Sequence, residues 1–174
     1  MPRLLILRHA KAASPPATKD IDRPLTPDGR AAATKIGEFL HGEGLVPDLG
    51  LVSPSRRTRE TWDLMQASLG EVAAEFDGRI YAAPAPHLLA ILQQVASPAA
   101  TVLLVGHNPG CEDLAQMLVR SGDGEALVAM RQKYPPAALA VIAFDGDGWS
   151  ELASGEGRLE RFVTPAALGA CEES

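Results

Sequence analysis

Two short, uninterrupted apolar runs, each stopping at a histidine, constrain the fold more than any other feature of the sequence. The first lies in "LLILRHAKAA", which begins at Leu4, and the second lies in "TVLLVGHNPG", which begins at Thr101. Continuous apolar runs of this length are typical of strands that are buried on both faces of a sheet. Such a sheet has to be covered on both sides, and helices are the usual cover in a soluble α/β protein.

The rest of the chain alternates between strand and helix patterns. Strands are predicted at 3–7, 48–53, 101–106 and 138–144, with a weaker strand near 74–81 and a hairpin turn at 145–148 that leads into 149–154. Helices are predicted at 57–69, 87–96 and 110–121, and another begins at Pro27 after the capping residue Thr26. This alternation predicts an α/β fold of three layers: a mostly parallel central sheet, helices on both faces and an antiparallel edge hairpin.

Length and charge limit the kind of protein further. A chain of 174 residues suits one domain, which we predict over residues 1–165, followed by a frayed tail at 166–174. The net charge of −6 argues against a nucleic-acid partner or a polybasic membrane contact. No apolar run approaches the length of a membrane span, and Cys111 and Cys171 lack metal-ligand spacing. With no secretory leader pattern, the expected compartment is the cytoplasm.

Basic side chains gather at the ends of three predicted strands. Arg8 and His9 follow the first, Arg56 and Arg57 follow the second, and His107 follows the third. In open α/β sheets, ligands bind beyond the carboxyl ends of the strands, and arginine forks suit a phosphoryl group. Each motif alone also fits an ordinary turn or helix start. Their occurrence at three strand ends favours a shared anion site.

The residues that carry these motifs resemble the histidine phosphatase superfamily. The matching stretches are "LILRHAKA", "DRPLTPDG", "LVSPSRRTRET" and "VLLVGHNPG", and within the superfamily the chain is most similar to the small SixA-type phosphohistidine phosphatases. The resemblance implies a phosphoglycerate mutase-like fold. It also implies a catalytic set, with His9 as the nucleophile and Arg8, Arg57 and His107 holding the phosphoryl oxygens. Arg57 is selected over Arg56 because it lies four residues after Ser53, and Arg23 matches a further phosphate contact.

The sequence departs from the superfamily pattern at two places. Ala10 follows the nucleophile where glycine is usual, and the region that carries a glutamate acid in mutase-like relatives has no carboxylate past Asp77. Glu75 and Asp77 are substitutes without a matching motif. An alkoxide leaves poorly without a general acid, whereas a protonated phosphoimidazole leaves as neutral imidazole. The missing acid therefore favours a phosphohistidine substrate.

These observations predict a phosphatase that forms a covalent phosphohistidine intermediate and needs neither cofactor nor metal. The expected partner is a protein that carries phosphohistidine. Two alternatives remain open at this point: a phosphatase for a small phosphate ester, and a non-catalytic module that binds phosphate or a partner protein. The intact set of Arg8, His9, Arg57 and His107 argues against the non-catalytic alternative.

Overall fold

The computed structural model describes residues 1–96 and 98–169, and in these residues seven strands form one mixed sheet. The strands are β1 Arg3–Arg8, β2 Leu49–Val52, β3 Ala73–Phe76, β4 Thr101–Gly106, β5 Val119–Gly122, β6 Leu139–Ala143 and β7 Gly157–Val163. The α-helices of the described residues are α1 Pro27–Gly42, α2 Arg56–Leu69, α3 Ala85–Gln93, α4 Gly110–Leu118 and α5 Gly124–Gln132. The predicted α/β architecture is confirmed.

The order of the strands brings the predicted site segments together. Across the sheet the order is β3-β2-β4-β1-β6-β7-β5. The first four of these strands are parallel neighbours, β7 and β5 are also parallel, and β6 runs antiparallel to both β1 and β7. Because β2, β4 and β1 are adjacent and parallel, their carboxyl ends lie at one edge of the sheet.

The central strand β1 is buried on both faces, as its apolar run predicts. Leu4 and Ile6 pack with buried residues of α3, α4 and α5, whereas Leu5 and Leu7 pack with α1 and α2. All four side chains are completely buried. Burial of a leucine or isoleucine contributes about 1.5–3 kcal/mol of hydrophobic free energy. The two cores therefore fix β1 tightly, and with it the residues that follow the strand.

The start of α1 is pressed against the segment that follows β1. Thr26 caps the helix as predicted, because its Oγ1 accepts a hydrogen bond of 3.0 Å from the Gly29 N–H. A Cβ at Gly29 would lie 2.2 Å from the carbonyl oxygen of Lys11, so only glycine permits this approach. The contact holds the loop after β1 in place beside the carboxyl ends of the strands.

Two sequence predictions in the second half of the chain are wrong in detail. The helix predicted over 110–121 ends at Leu118, and Val119–Gly122 form β5, which pairs with β7. The antiparallel strand pair is present, but its second strand is Gly157–Val163 instead of 149–154. At 149–151 the chain forms a 3-10 turn, because the buried Trp149 indole donates to the Ala99 carbonyl. In both places tertiary pairing outweighs the local pattern.

The end of the chain is described only as far as Gly169. Ala166–Leu168 form a 3-10 turn, and the remainder of the predicted frayed tail, with Cys171, lies outside the described residues. The domain boundary at 165 stays a prediction. Among the helices of the described residues, none is both long and apolar enough to cross a bilayer.

Candidate active site

Four of the predicted residues, Arg8, His9, Arg57 and His107, lie at or just after strand ends and line one pocket. His9 follows β1, Arg57 lies in the first turn of α2 after β2, and His107 follows β4. Backbone hydrogen bonds continue the sheet past the strand ends: the His9 N–H donates to Gly106 O at 3.0 Å and the Ser53 N–H donates to Val105 O at 3.1 Å. The pocket has a volume of about 450 Å³, and it is lined by Arg8, His9, Lys11, Ala12, Asp20, Arg23, Arg57, Tyr81, Ala82, His107, Asn108 and Pro136.

The ring of His9 is held in one tautomer. Its Nδ1 lies 2.7 Å from the Ala10 carbonyl oxygen, which can only accept, so Nδ1 carries the proton. Its Nε2 accepts a hydrogen bond of 3.3 Å from Arg57 Nε, so Nε2 is unprotonated and its lone pair is directed at a guanidinium that also lines the pocket. Burial, with smaller contributions from the neighbouring His107, Arg57 and Arg8, lowers the pKa of His9 to about 3 despite the opposing effect of the hydrogen bond to Ala10. The ring is therefore neutral near pH 7.

The backbone that holds His9 is itself fixed by a buried threonine. The Ala10 N–H donates to Thr61 Oγ1 at 3.1 Å, and Thr61 Oγ1 donates to the Arg57 carbonyl at 2.7 Å. Ala10 is not among the non-glycine residues with positive φ, and its methyl group is buried in the core beneath the site. Alanine is thus accommodated where glycine is usual in the superfamily.

Arg57 connects both histidines through one edge of its guanidinium. Its Nε contacts His9, and its Nη2 lies 3.2 Å from His107 Nδ1. The other edge contacts Asp20, with Nη1 donating to the backbone carbonyl at 2.6 Å and Nη2 donating to Oδ2 at 3.1 Å. Only 6% of Arg57 is exposed. A planar fork that presents two donors toward the pocket suits a tetrahedral oxyanion.

Arg56, the neighbouring arginine, faces away from the pocket. Its Nε donates to Glu60 Oε1 at 2.7 Å on the surface of α2, and its side chain is 58% exposed. The two arginines stand at the N-terminus of α2, where the helix dipole disfavours a positive charge. Of the two, only Arg57 has contacts in the pocket that offset this cost.

His107 is also held in a defined tautomer. Its Nδ1 accepts from Arg57, which can only donate, so Nε2 carries the proton and donates to Ser53 Oγ at 2.7 Å. Burial lowers the pKa of His107 to about 4, with Arg57 contributing in the same direction. The rings of His9 and His107 are tilted, with centroids 5.4 Å apart.

Arg8 brings an unsatisfied donor to the pocket. Its Nη1 donates to the Tyr134 carbonyl at 3.0 Å, whereas its buried Nε has no hydrogen-bond partner among the described residues. Buried polar atoms are nearly always paired in folded proteins, and an exception calls for a functional explanation.

Arg23 lies at the mouth of the pocket, further from the histidines. Its Nε donates to the Ala13 carbonyl at 3.0 Å and its Nη1 contacts Asp20 Oδ1 at 3.3 Å. The sequence reasoning missed Asp20, which links Arg23, Arg57 and the Tyr81 hydroxyl. The hydrogen bond from Tyr81 lowers the pKa of Asp20 to about 2, and Arg57 adds to the effect. The only local signal for Asp20 was its spacing of three residues before Arg23.

The two carboxylates considered as substitute acids do not reach the site. Asp77 caps a 3-10 turn and forms an ion pair of 2.6 Å with Arg79, while Glu75 is exposed on β3, and neither lines the pocket. Among the described residues no group of three or more His, Cys, Asp or Glu side chains is placed to hold a metal ion.

The chain is similar to known proteins over most of its length. Residues 4–81 match the model of the histidine phosphatase superfamily, branch 1. An uncharacterized chloroplastic protein of Arabidopsis thaliana is 36% identical over 178 residues, which cover 94% of this chain and 78% of that protein. A candidate phosphohistidine phosphatase SixA from Nakamurella multipartitia has a TM-score of 0.81 at 30% identity, covering 95% of this chain and 97% of its own. The protein histidine phosphatase SixA complexed with tungstate has a TM-score of 0.77 at 25% identity, covering 95% and 99%.

The likenesses to the Arabidopsis protein and to the two SixA structures extend over nearly the whole chain. The protein belongs to the histidine phosphatase superfamily, which confirms the resemblance identified in the sequence. SixA phosphohistidine phosphatases are among its structural neighbours. Membership of this family supports a phosphatase that acts on a phosphorylated substrate.

Proposed function

We propose that the protein is a phosphatase that transfers a phosphoryl group to His9 Nε2 and then to water, and that its substrate is phosphohistidine on a protein. The observation that carries this proposal is the state of His9. The ring is neutral, its Nδ1 proton is fixed on the Ala10 carbonyl, and its unprotonated Nε2 accepts a hydrogen bond from Arg57 that an incoming phosphoryl group would take over. A nucleophilic imidazole requires this combination.

Positive groups surround the position that a transferring phosphoryl group would take. Arg8 and Arg57 both line the pocket, and the inner edge of Arg57 carries two donors for its oxygens. Charge that develops on these oxygens is stabilised most strongly by donors already held in place. Because Arg57 and Arg8 lower the pKa of His107, an anion that offsets their charge would raise it again. Burial remains the larger cause of the lowered pKa of His107, so a protonated His107, which would donate through Nδ1, is favoured only while the anion is bound.

The protonation that the leaving group requires supports a phosphohistidine substrate. The carboxylate of the pocket, Asp20, has a pKa of about 2 and is ionised near pH 7, so it cannot protonate an alkoxide. A phosphoimidazole that carries a proton on its remote nitrogen leaves as neutral imidazole and needs no acid. The SixA neighbours named as phosphohistidine phosphatases support the same substrate class.

The test compares a protein carrying phosphohistidine with p-nitrophenyl phosphate, for the natural protein and for His9→Ala. We expect the natural protein to prefer phosphohistidine, and alkaline quenching to trap a labelled protein that acid quenching loses. His9→Ala should retain the far-ultraviolet circular dichroism of the fold and lose both label and turnover. A fully active His9→Ala protein would refute the nucleophile. A preference for small esters would refute the substrate class.

A further inference from the structure

Asp20 is the carboxylate of the pocket, and the proposed phosphoryl chemistry leaves it without a role. Its side chain is 55% exposed, whereas only 8% of His9 is exposed, so Asp20 lies at the mouth and His9 at the floor. Phosphoryl transfer places the attacking and departing atoms in line. A group leaving from a phosphorus attacked by His9 therefore moves toward the mouth, where Asp20 lies.

The contacts of Arg57 show that Asp20 and a phosphoryl group do not compete for the same donors. The Nε and Nη2 edge faces His9 and His107, and the Nη1 and Nη2 edge faces Asp20. A phosphoryl group on the inner edge leaves the carboxylate where it is. Asp20 then lies beside whatever is attached to the phosphorus.

The carboxylate retains capacity for one more hydrogen bond. An ionised carboxylate offers about four acceptor positions. In the described part of the chain, Arg57 and Tyr81 use Oδ2 and Arg23 uses Oδ1. The remaining position is on Oδ1, on a side chain that is more than half exposed at the mouth.

The charge of Asp20 discriminates between leaving groups. A carboxylate beside a phosphoryl dianion is repulsive unless the substrate brings a donor or a positive charge to it. The alcohol portion of an ester without further polar hydrogens, such as p-nitrophenyl phosphate, brings neither. A phosphorylated imidazole protonated on its remote nitrogen brings both, and that N–H needs an acceptor just as the Nδ1–H of His9 needs the Ala10 carbonyl.

We propose that Asp20 determines substrate specificity by accepting a hydrogen bond from the remote ring N–H of a phosphorylated imidazole. This inference rests on the proposed function and deepens it. In the step, His9 Nε2 forms a bond to phosphorus while the bond between phosphorus and the substrate nitrogen breaks. The electron pair of that bond stays on the substrate ring, which leaves as neutral imidazole with its remote N–H still on Asp20. The phosphorylated His9 ring takes up the positive charge, with its N–H on Ala10.

The test is Asp20→Asn, which keeps the shape and an acceptor oxygen but removes the negative charge. We expect kcat/KM for phosphoimidazole and for a phosphohistidine peptide to fall by roughly 10- to 100-fold, as for a lost charged hydrogen bond. For p-nitrophenyl phosphate, whose leaving group has no N–H, kcat/KM should fall far less, because the amide oxygen of the variant and the backbone carbonyl still accept from Arg57. A loss that is much larger for the phosphoimidazole substrates separates recognition of the leaving group from the support that Asp20 gives to Arg57.

Asp22→Asn is the matched control, because it removes the same charge from the same 3-10 turn outside the pocket. It should leave both substrates unaffected. An equal loss on both substrates in Asp20→Asn would mean that Asp20 only positions Arg57, and would overturn the inference while leaving the phosphohistidine phosphatase intact. A natural protein that hydrolysed p-nitrophenyl phosphate but not phosphoimidazole or the peptide would overturn the proposed substrate and this inference together.

Discussion

Replacing Arg57 by alanine should affect catalysis far more than folding. The side chain makes four hydrogen bonds, two of them from the edge that faces His9 and His107. Loss of one donor to developing charge costs about 10²–10³-fold in kcat. Since both donors belong to one group and act together, their losses do not multiply, and we expect about a 10³-fold fall in kcat/KM for p-nitrophenyl phosphate.

Arg56→Ala is the comparison, because it removes the adjacent arginine and leaves the pocket intact. Its exposed pair with Glu60, one helical turn away, contributes about 0.3–0.5 kcal/mol to stability. We expect the turnover rate of Arg56→Ala to lie within about twofold of that of the natural protein, because exposed charged pairs outside the pocket contribute little. The kcat/KM of Arg57→Lys should lie between the values of the two alanine variants, since an ammonium keeps the charge but cannot contact both histidines at once.

Initial rates for the natural protein and the three variants, with thermal melting to show that each is folded, decide the matter. An Arg57→Ala protein that stays within about tenfold of the natural rate would refute the assignment of Arg57 as a donor to the transferring oxygens. An Arg56→Ala protein slower than Arg57→Ala would show that the wrong arginine had been chosen.

Three further predictions follow from the same contacts. The pKa values of His9 and His107 are lowered to about 3 and about 4, so below the ordinary value of 6.5 the unfolded chain binds more protons than the folded protein. The melting temperature should therefore fall as the pH is lowered from 6.5 to 4. A melting temperature that did not change with pH would contradict the burial of both histidines as neutral rings. Thr61→Val leaves the buried Ala10 N–H without its acceptor, which should lower the free energy of unfolding by about 1–3 kcal/mol, measured by chemical denaturation. It should also lower kcat, because His9 is displaced. An unchanged kcat would show that Thr61 does not position the nucleophile. Phosphatase activity should survive exhaustive treatment with a chelator. Vanadate should inhibit the protein, because it can adopt the geometry of the transferring phosphorus. Activity that is lost on chelation and restored by one divalent ion would contradict a metal-independent mechanism.

That His9 and His107 lie in one pocket could be predicted, because their positions depend mainly on the order and direction of the strands that precede them. Apolar runs that end in Arg8-His9 and Gly106-His107 identify two parallel strands, and parallel strands place their carboxyl ends together. The spacing from Ser53 selected Arg57, and the structure places Arg57 in the pocket and Arg56 outside it.

Other parts of the site depend on contacts that no local pattern encodes. The acceptor for His9 Nδ1 is a backbone carbonyl, and its direction is set by φ and ψ rather than by the type of residue. Asp20 meets Tyr81 across the pocket from a distant part of the chain, and neither residue stands out in its own segment. At Val119, pairing with β7 overrides a helical pattern for the same reason: the deciding partner is remote in sequence.

The position of β1 between β4 and β6 makes the order of events in folding matter for activity. The strand that carries His9 is made before both of its sheet neighbours, which come from the second half of the chain. Until β4 and β6 are available, the apolar "LLIL" segment has no partners and is exposed to association with other chains. Pairing between such distant segments is slow because a long loop must close first. Recovery of phosphatase activity during refolding should therefore report the completion of the central sheet, later than the formation of α1 and α2.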